Sequence, residues 1–229
     1  MISRSLKATY YVAARGPMAI SSRLYRLLFA PKAGTVKVHL GPGQTRYIPG
    51  WINVDANIVS ARPDVWADLR DALPFGNSTV DVFYSHHMIE HLPDQVLPFH
   101  LSELFRCLKP GGLIRIGGPN CDAAITKFVE GDAAWFSDFP DSRRSLGGRF
   151  ANFILCRGEH TVILTASYLD ELLTNAGFTM LRQCQPALET SDERLIGAEV
   201  LSREYESTPE VPHTLIIEAR KPALSGVST

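Results

Sequence analysis

Four short clusters near the middle of the chain hold residues whose types and spacing suit chemistry: Gly41-Pro42-Gly43, Asp55, Asp68-Leu69 and Ser85-His86-His87. Bare backbone at Gly41 and Gly43 would let a ligand lie close against the chain. Asp55 offers a carboxylate that can accept both hydroxyls of a ribose. Asp68 beside Leu69 pairs a polar acceptor with an apolar surface, which suits the edge and face of an adenine. Together these residues describe a pocket for an adenine nucleoside, and no single one of them would. Farther along, His160 stands in Gly158-Glu159-His160-Thr161. A neutral imidazole can take a hydroxyl proton near physiological pH, and His86 is the second candidate for that role.

The clusters have chemical meaning only if the fold brings them together. Val36, Val38 and Leu40 alternate with Lys37 and His39, which predicts a strand ending at Gly41. Trp51–Val54, Asp64–Ala67 and Val80–Tyr84 read as three more strands, so each cluster sits one step past a strand. Leu97, Leu101, Leu104, Phe105 and Leu108 fall at helical spacing, with Lys109-Pro110-Gly111-Gly112 ending the helix and Leu113–Ile116 a fifth strand. A helix over Ser167–Ala176, opened by Ser167, a strand over Phe178–Cys184 and a last strand over His213–Ala219 complete the pattern. Met18–Ala30 reads as a helix docked through Ile20, Leu24, Leu27 and Leu28. Strands interleaved with helices imply an α/β domain around a largely parallel sheet, whose ligands bind at the carboxyl ends of the strands.

In this order, Leu40-Gly41-Pro42-Gly43, Gly50-Trp51-Ile52-Asn53-Val54-Asp55, Ala67-Asp68-Leu69, Ser85-His86-His87-Met88-Ile89-Glu90-His91-Leu92 and Leu108-Lys109-Pro110-Gly111-Gly112 resemble the class I S-adenosylmethionine-dependent methyltransferases, closest to the methyltransferase type 11 group. The resemblance implies a single-domain Rossmann-like α/β fold with a seven-stranded, mostly parallel sheet, its last strand antiparallel, and helices on both faces. It implies S-adenosyl-L-methionine as cofactor, with Leu40, Gly41, Pro42 and Gly43 along its amino-acid part and Asp55 and Ala56 at the ribose. Asp68 and Leu69 would meet the adenine, and Ser85 and His86 the methionine end. Two departures stand out. Pro42 lies between the glycines, and only Gln44–Pro49 separate Gly43 from Gly50, so the helix that usually follows the first strand is missing. The expected layout is a helical extension over 1–30, a methyltransferase domain over 31–222 with a substrate-shaping region at 121–166, and a flexible tail over 223–229.

The activity expected is methylation of a small-molecule or saccharide acceptor, at oxygen. The alternative is a catalytically degenerate binding or regulatory protein on the same fold. A nicotinamide-dependent oxidoreductase is excluded, because Arg46 stands at the third glycine position of that fingerprint and Asp55 comes too soon after it. His87-Met88-Ile89-Glu90-His91 matches a zinc-peptidase pattern, but it follows a strand directly and Pro93 comes soon after, so no metal is expected. A net charge of −1 argues against general nucleic-acid binding. Arg143, Arg144 and Arg149 read as a solvated face. The scattered Cys107, Cys121, Cys156 and Cys184 suggest neither disulfides nor zinc, and with no membrane span or convincing leader a cytoplasmic protein is expected. The spacing says nothing of oligomeric state.

Overall fold

Val38, His39 and Leu40 are all fully buried, so the first strand is covered on both faces, as strands of a parallel sheet are. The computed structural model describes residues 4–28, 34–44, 46–59 and 61–223. Seven strands, β1 (Lys37–Leu40), β2 (Ile52–Asp55), β3 (Val65–Trp66), β4 (Val80–His86), β5 (Leu108–Pro119), β6 (Thr179–Cys184) and β7 (Thr214–Arg220), form one sheet in the order β3-β2-β1-β4-β5-β7-β6. β7 runs antiparallel to both neighbours, and the other pairs are parallel. The break in order between β1 and β4 creates the crevice in which such sheets bind ligands.

The helices are α1 (Arg4–Leu28), α2 (Leu97–Cys107), α3 (Cys121–Glu130), α4 (Leu146–Leu155), α5 (Ala166–Asn175) and the short α6 (Ala198–Leu201). One face of the sheet packs Val38, Leu40, Phe83, Ile114 and Ile116 against Leu101 and Leu104 of α2 and Leu169 and Leu173 of α5. The other face sets Tyr84, Val82 and Leu113 against Ile48, Trp51, Ile196 and Val200. A buried guanidinium holds that second cover in place. Arg115 on β5 donates to both carboxylate oxygens of Glu204 at 2.7 and 2.6 Å, and to Glu218 on β7 at 2.6 Å.

Several elements differ from the sequence reading. The first helix begins at Arg4 rather than Met18. It docks through Tyr10, Ala14 and Met18 against Ala56 and Trp66, while Ile20, Leu24, Leu27 and Leu28 are exposed. The docked face wins because Tyr10 Oη donates to the Ala56 carbonyl at 2.6 Å, a bond an aliphatic face cannot make. Lys109–Gly112 joins β5 rather than ending α2, because Gly111 N–H donates to the Lys221 carbonyl and extends the pairing with the end of β7. α5 is capped by Thr165, whose hydroxyl accepts from Tyr168 N–H, rather than by Ser167. The expected 30/31 boundary and most of the expected tail lie outside the described residues. Among the described residues no helix is long and apolar enough to cross a membrane.

Candidate active site

At the end of β1 the chain turns through Gly41 and Gly43, both at positive φ. A Cβ at Gly41 would lie 2.3 Å from Met88 Cγ, so the turn can pass there only as glycine. At Gly43 a Cβ would meet open space, which leaves an uncovered stretch of backbone. Asp55, at the end of β2, ties this turn to its own strand. Its carboxylate accepts from Gly43 N–H at 3.0 Å and from Asn57 N–H at 2.8 Å. Burial raises the Asp55 pKa, and these amides oppose the rise.

Among the described residues no helix lies between β1 and β2. Asn53 organises the short loop instead: its side chain accepts from Ile48 N–H and donates to the Ile48 and Trp51 carbonyls. His39 hydrogen-bonds Asn53 from within the sheet, and burial lowers its pKa to about 4. The loop carries Arg46 across to β4, where its guanidinium donates to the carbonyl of His86 at 3.2 Å and also contacts His86 Nδ1.

Past β3, Asp68 is buried and both its oxygens accept from Arg70, at 2.8 and 2.6 Å. Burial alone would raise its pKa, but the Arg70 contacts outweigh that and hold it low. The Arg70 guanidinium in turn lies 4.9 Å from the ring centre of Tyr11 on α1. Leu69 packs into the main core and its carbonyl accepts from His100.

At the end of β4, Ser85 Oγ and His86 Nε2 are buried and have no hydrogen-bond partner among the described residues. The His86 ring stacks on Tyr84 with its edge on Gly117, where a Cβ would lie 2.7 Å from His86 Cδ2. Burial holds its pKa well below that of free histidine. Beside these groups, at the carboxyl ends of β4 and β5, lies a cavity of about 400 Å³ lined by Arg46, His87, Asn152, His160, Tyr205, His213 and their neighbours. His160 Nδ1 donates to the Ile154 carbonyl at 3.0 Å, and burial lowers the ring's pKa. His213 sits between Glu206 and the Trp135 carbonyl, at 2.9 and 2.5 Å, and stacks on Trp135. Burial works against its charge, but Glu206 prevails and its pKa is raised. A larger groove of about 1210 Å³ lies between α1 and the amino ends of β1, β2 and β3, the wrong end of a parallel sheet for catalysis.

The family model described as "Methyltransferase domain" matches residues 53–116. A probable S-adenosylmethionine-dependent methyltransferase of Mycolicibacterium smegmatis is 35% identical over 106 residues, which are 46% of this chain and 31% of the relative. The chain therefore spans less than a third of that curated relative's length. Among solved structures, a SAM-dependent methyltransferase of Thermotoga maritima, titled a possible histamine N-methyltransferase, superposes with a TM-score of 0.51 at 16% identity over 94% of both chains. A SAM-dependent methyltransferase of Archaeoglobus fulgidus gives 0.50 at 17% identity, covering 93% of this chain and all of the other. Haemonchus contortus phosphoethanolamine N-methyltransferase 2, solved with S-adenosyl-L-methionine, gives 0.51 at 12% identity over 96% of this chain and 57% of its own. Residues 53–116 thus match a methyltransferase domain model, on a fold that the chain shares with S-adenosylmethionine-dependent methyltransferases.

The strand ends can be set against the shape of S-adenosylmethionine, the cofactor that the relatives' names carry. The open backbone at Gly43, the Asp55 carboxylate with a lone pair left on each oxygen, and the orphaned Ser85 hydroxyl fit its amino-acid and ribose parts. The adenine end fits less simply, because an exocyclic amine would have to share Asp68 with Arg70. Ala56 lies beneath α1, where its carbonyl also accepts from Trp66 Nε1. Of the two imidazoles expected to take a proton, the 400 Å³ cavity is lined by His160 and not by His86, and His87 stands at its wall instead. Arg143 and Arg149 pair with Asp141 and Asp138 and do not line the cavity.

Sequence reading missed Arg70, Asn53, Glu206 and His213. The signal for Asn53 was an amide at a buried strand position, which must find partners. For the others no local signal existed.

Proposed function

We propose that the chain transfers the methyl group of S-adenosylmethionine to a hydroxyl of a small-molecule or saccharide acceptor held in the 400 Å³ cavity. The observation that carries this reading is the cavity's lining: three imidazoles, an amide, a phenol and a guanidinium at the carboxyl ends of β4 and β5, next to the strand ends that fit the cofactor. When bound, the cofactor supplies an electrophilic methyl on a sulfonium. The protein's own work is then to align, to exclude water and to receive a proton.

Asp55 would orient the ribose, and the backbone at Gly41 and Gly43 would carry the amino-acid end. Arg46, anchored on the His86 carbonyl, closes the cavity on the cofactor side. His160 offers its Nε2 to the acceptor proton, because its Nδ1 already donates to Ile154. Asn152 donates to the Phe139 and Asp141 carbonyls and so fixes the far wall.

The test is turnover with isotopically labelled cofactor against panels of hydroxyl, amine and carbon acceptors, with products identified by mass spectrometry. Label on an acceptor oxygen supports the reading. Label on nitrogen or carbon overturns the oxygen assignment. Tight cofactor binding with no turnover on any panel would favour the binding-protein alternative.

A further inference from the structure

We propose that Glu90, His91 and His160 form a binding site for a divalent first-row transition-metal ion, such as zinc, at the rim of the acceptor cavity. One ligand atom from each residue lies within 4.8 Å of the others. Metal bonds of about 2.0–2.2 Å to nitrogen and oxygen would be reached by small side-chain rotations from that spacing.

Both imidazoles turn the same ring nitrogen, Nε2, away from their backbone partners. His91 Nδ1 lies 3.0 Å from the Glu159 carbonyl, and His160 Nδ1 lies 3.0 Å from the Ile154 carbonyl. A carbonyl can only accept, so each Nδ1 carries a proton, and in the neutral ring this assignment leaves the lone pair on Nε2. Backbone carbonyls orient metal-bound histidines in the same way. The rings meet edge to face with their centres 5.2 Å apart.

Glu90 provides the second, independent observation. It is 1% exposed, its Oε1 meets His87 Nδ1 at 3.1 Å, and its Oε2 has no hydrogen-bond partner among the described residues. A buried carboxylate oxygen without a donor is costly unless a cation meets it. His87, by holding the other oxygen, acts as a positioning residue for the carboxylate.

The ligand-bearing segments are also clasped together without any ion. Thr161 donates from its N–H and its hydroxyl to the Glu90 carbonyl at 2.8 and 3.2 Å, and from its hydroxyl to the Leu92 carbonyl at 2.7 Å. His160, although 69 residues downstream of His91, is thereby fixed beside it. The expectation of no metal weighed His87 with His91 on one helix. In the structure those two are not the pair, because the second imidazole comes from a distant loop and a short helical turn over Ile89–His91 suffices.

Two nitrogens and one carboxylate suit zinc, cobalt, nickel or ferrous iron, whereas magnesium and calcium favour oxygen ligands. Three protein ligands leave positions open. His160 lines the cavity and His91 is exposed, so those positions are accessible to water or to an oxygen of a bound molecule. The site does not depend on methyl transfer. If loaded, it takes the His160 lone pair that the methyl-transfer reading gives to a proton, so metal binding is measured separately from turnover.

The test uses the full chain, stripped with a chelator and titrated with zinc by calorimetry and with cobalt by visible absorption. The expected result is one zinc per chain and a cobalt d–d spectrum showing nitrogen ligation. His91→Ala, on the surface, should keep the thermal melt and weaken zinc by on the order of a hundredfold or more, since even outer-shell partners are worth about 10–100-fold. Glu90→Gln and His160→Ala should act likewise, and His87→Ala by about tenfold. Fewer than one ion per two chains, unchanged affinity in His91→Ala, or loss of binding in His213→Ala but not in His91→Ala would each overturn the site.

Discussion

The two halves of the site are held in place by different means. On the side proposed for the cofactor, Gly41, Gly43, Asp55 and Asp68 stand at strand ends, so the register of β1, β2 and β3 places them. On the acceptor side, Arg46, His87, His160 and His213 come from four separate segments, and side-chain clasps such as Thr161 on Glu90 and Arg115 on Glu204 and Glu218 place those segments. A sheet end is rigid and tolerates little variation in what it binds. A wall of clasped loops can be rebuilt without disturbing the sheet, which suits the half that must choose an acceptor.

The largest expected effect breaks the acceptor half alone. If His160 takes the acceptor proton, His160→Ala lowers the turnover rate by roughly 10²–10⁴-fold and leaves the cofactor dissociation constant unchanged. A matching loss of cofactor affinity would show that the halves are not separable. His86→Ala, in contrast, should act through stability, since its ring is buried against Tyr84 and Gly117.

Next comes the clasp. Arg115→Ala leaves Glu204 and Glu218 as buried carboxylates without their cation, and should cost about 3–5 kcal/mol in urea denaturation. Arg115→Met, tested beside it, should cost as much while those acids remain. A loss under 1 kcal/mol would mean that water reaches the triad and that the acceptor wall is looser than the sheet (~1 kcal/mol being the ceiling for solvated pairs).

Asp55→Ala removes the carboxylate proposed to hold the ribose, and on that proposal should weaken cofactor binding by about a hundredfold, roughly 3 kcal/mol, in calorimetry. Turnover at saturating cofactor should stay near normal. An unchanged dissociation constant would end the ribose assignment.

Within the acceptor wall, the loop that carries Arg46 and the segment that carries His213 should respond to pH in opposite directions. His39 is buried neutral with a pKa near 4, so the loop it supports is stable above about pH 6.5 and loses stability as pH falls from there towards 4. That loss is on the order of 3 kcal/mol at its end. His213 has a raised pKa, so its contacts with Glu206 and Trp135 are fully present below about pH 6.5 and fade as pH rises through the raised value. Hydrogen exchange, corrected for intrinsic rates, should show residues 46–50 opening in acid and residues 204–214 opening in base. Equal behaviour in both segments would remove the contrast.

This division also explains what was legible in the sequence. Leu40 to Leu69 is a short stretch in which each polar cluster follows a short, mainly apolar run, so strand ends and candidate ligands could be read together. The count of seven strands and the antiparallel last strand came with the family resemblance, and the superposed structures share that fold. The acceptor wall was not legible because it depends on contacts such as His87 with Thr214 and Arg115 with Glu204, between residues far apart in the chain. The face of α1 was misread for another reason. That helix has two apolar stripes, and periodicity cannot tell which one finds hydrogen-bond partners on β3.

The position of β7 has a consequence for how the molecule comes into being. It is the last strand of the sheet in the chain, yet it lies between β5 and β6, and β6 has no other neighbour. Register partners such as Leu113 and Arg220 must therefore meet across most of the second half of the chain, a slow closure for a folding polypeptide. Until they meet, β5 presents an open edge that any other nascent chain could extend. Arg115 sits in the middle of that strand, and before Glu204 and Glu218 arrive its charge is uncompensated. A lone guanidinium on an exposed edge discourages pairing with strangers. The residue that locks the finished acceptor wall thus guards the unfinished sheet against aggregation.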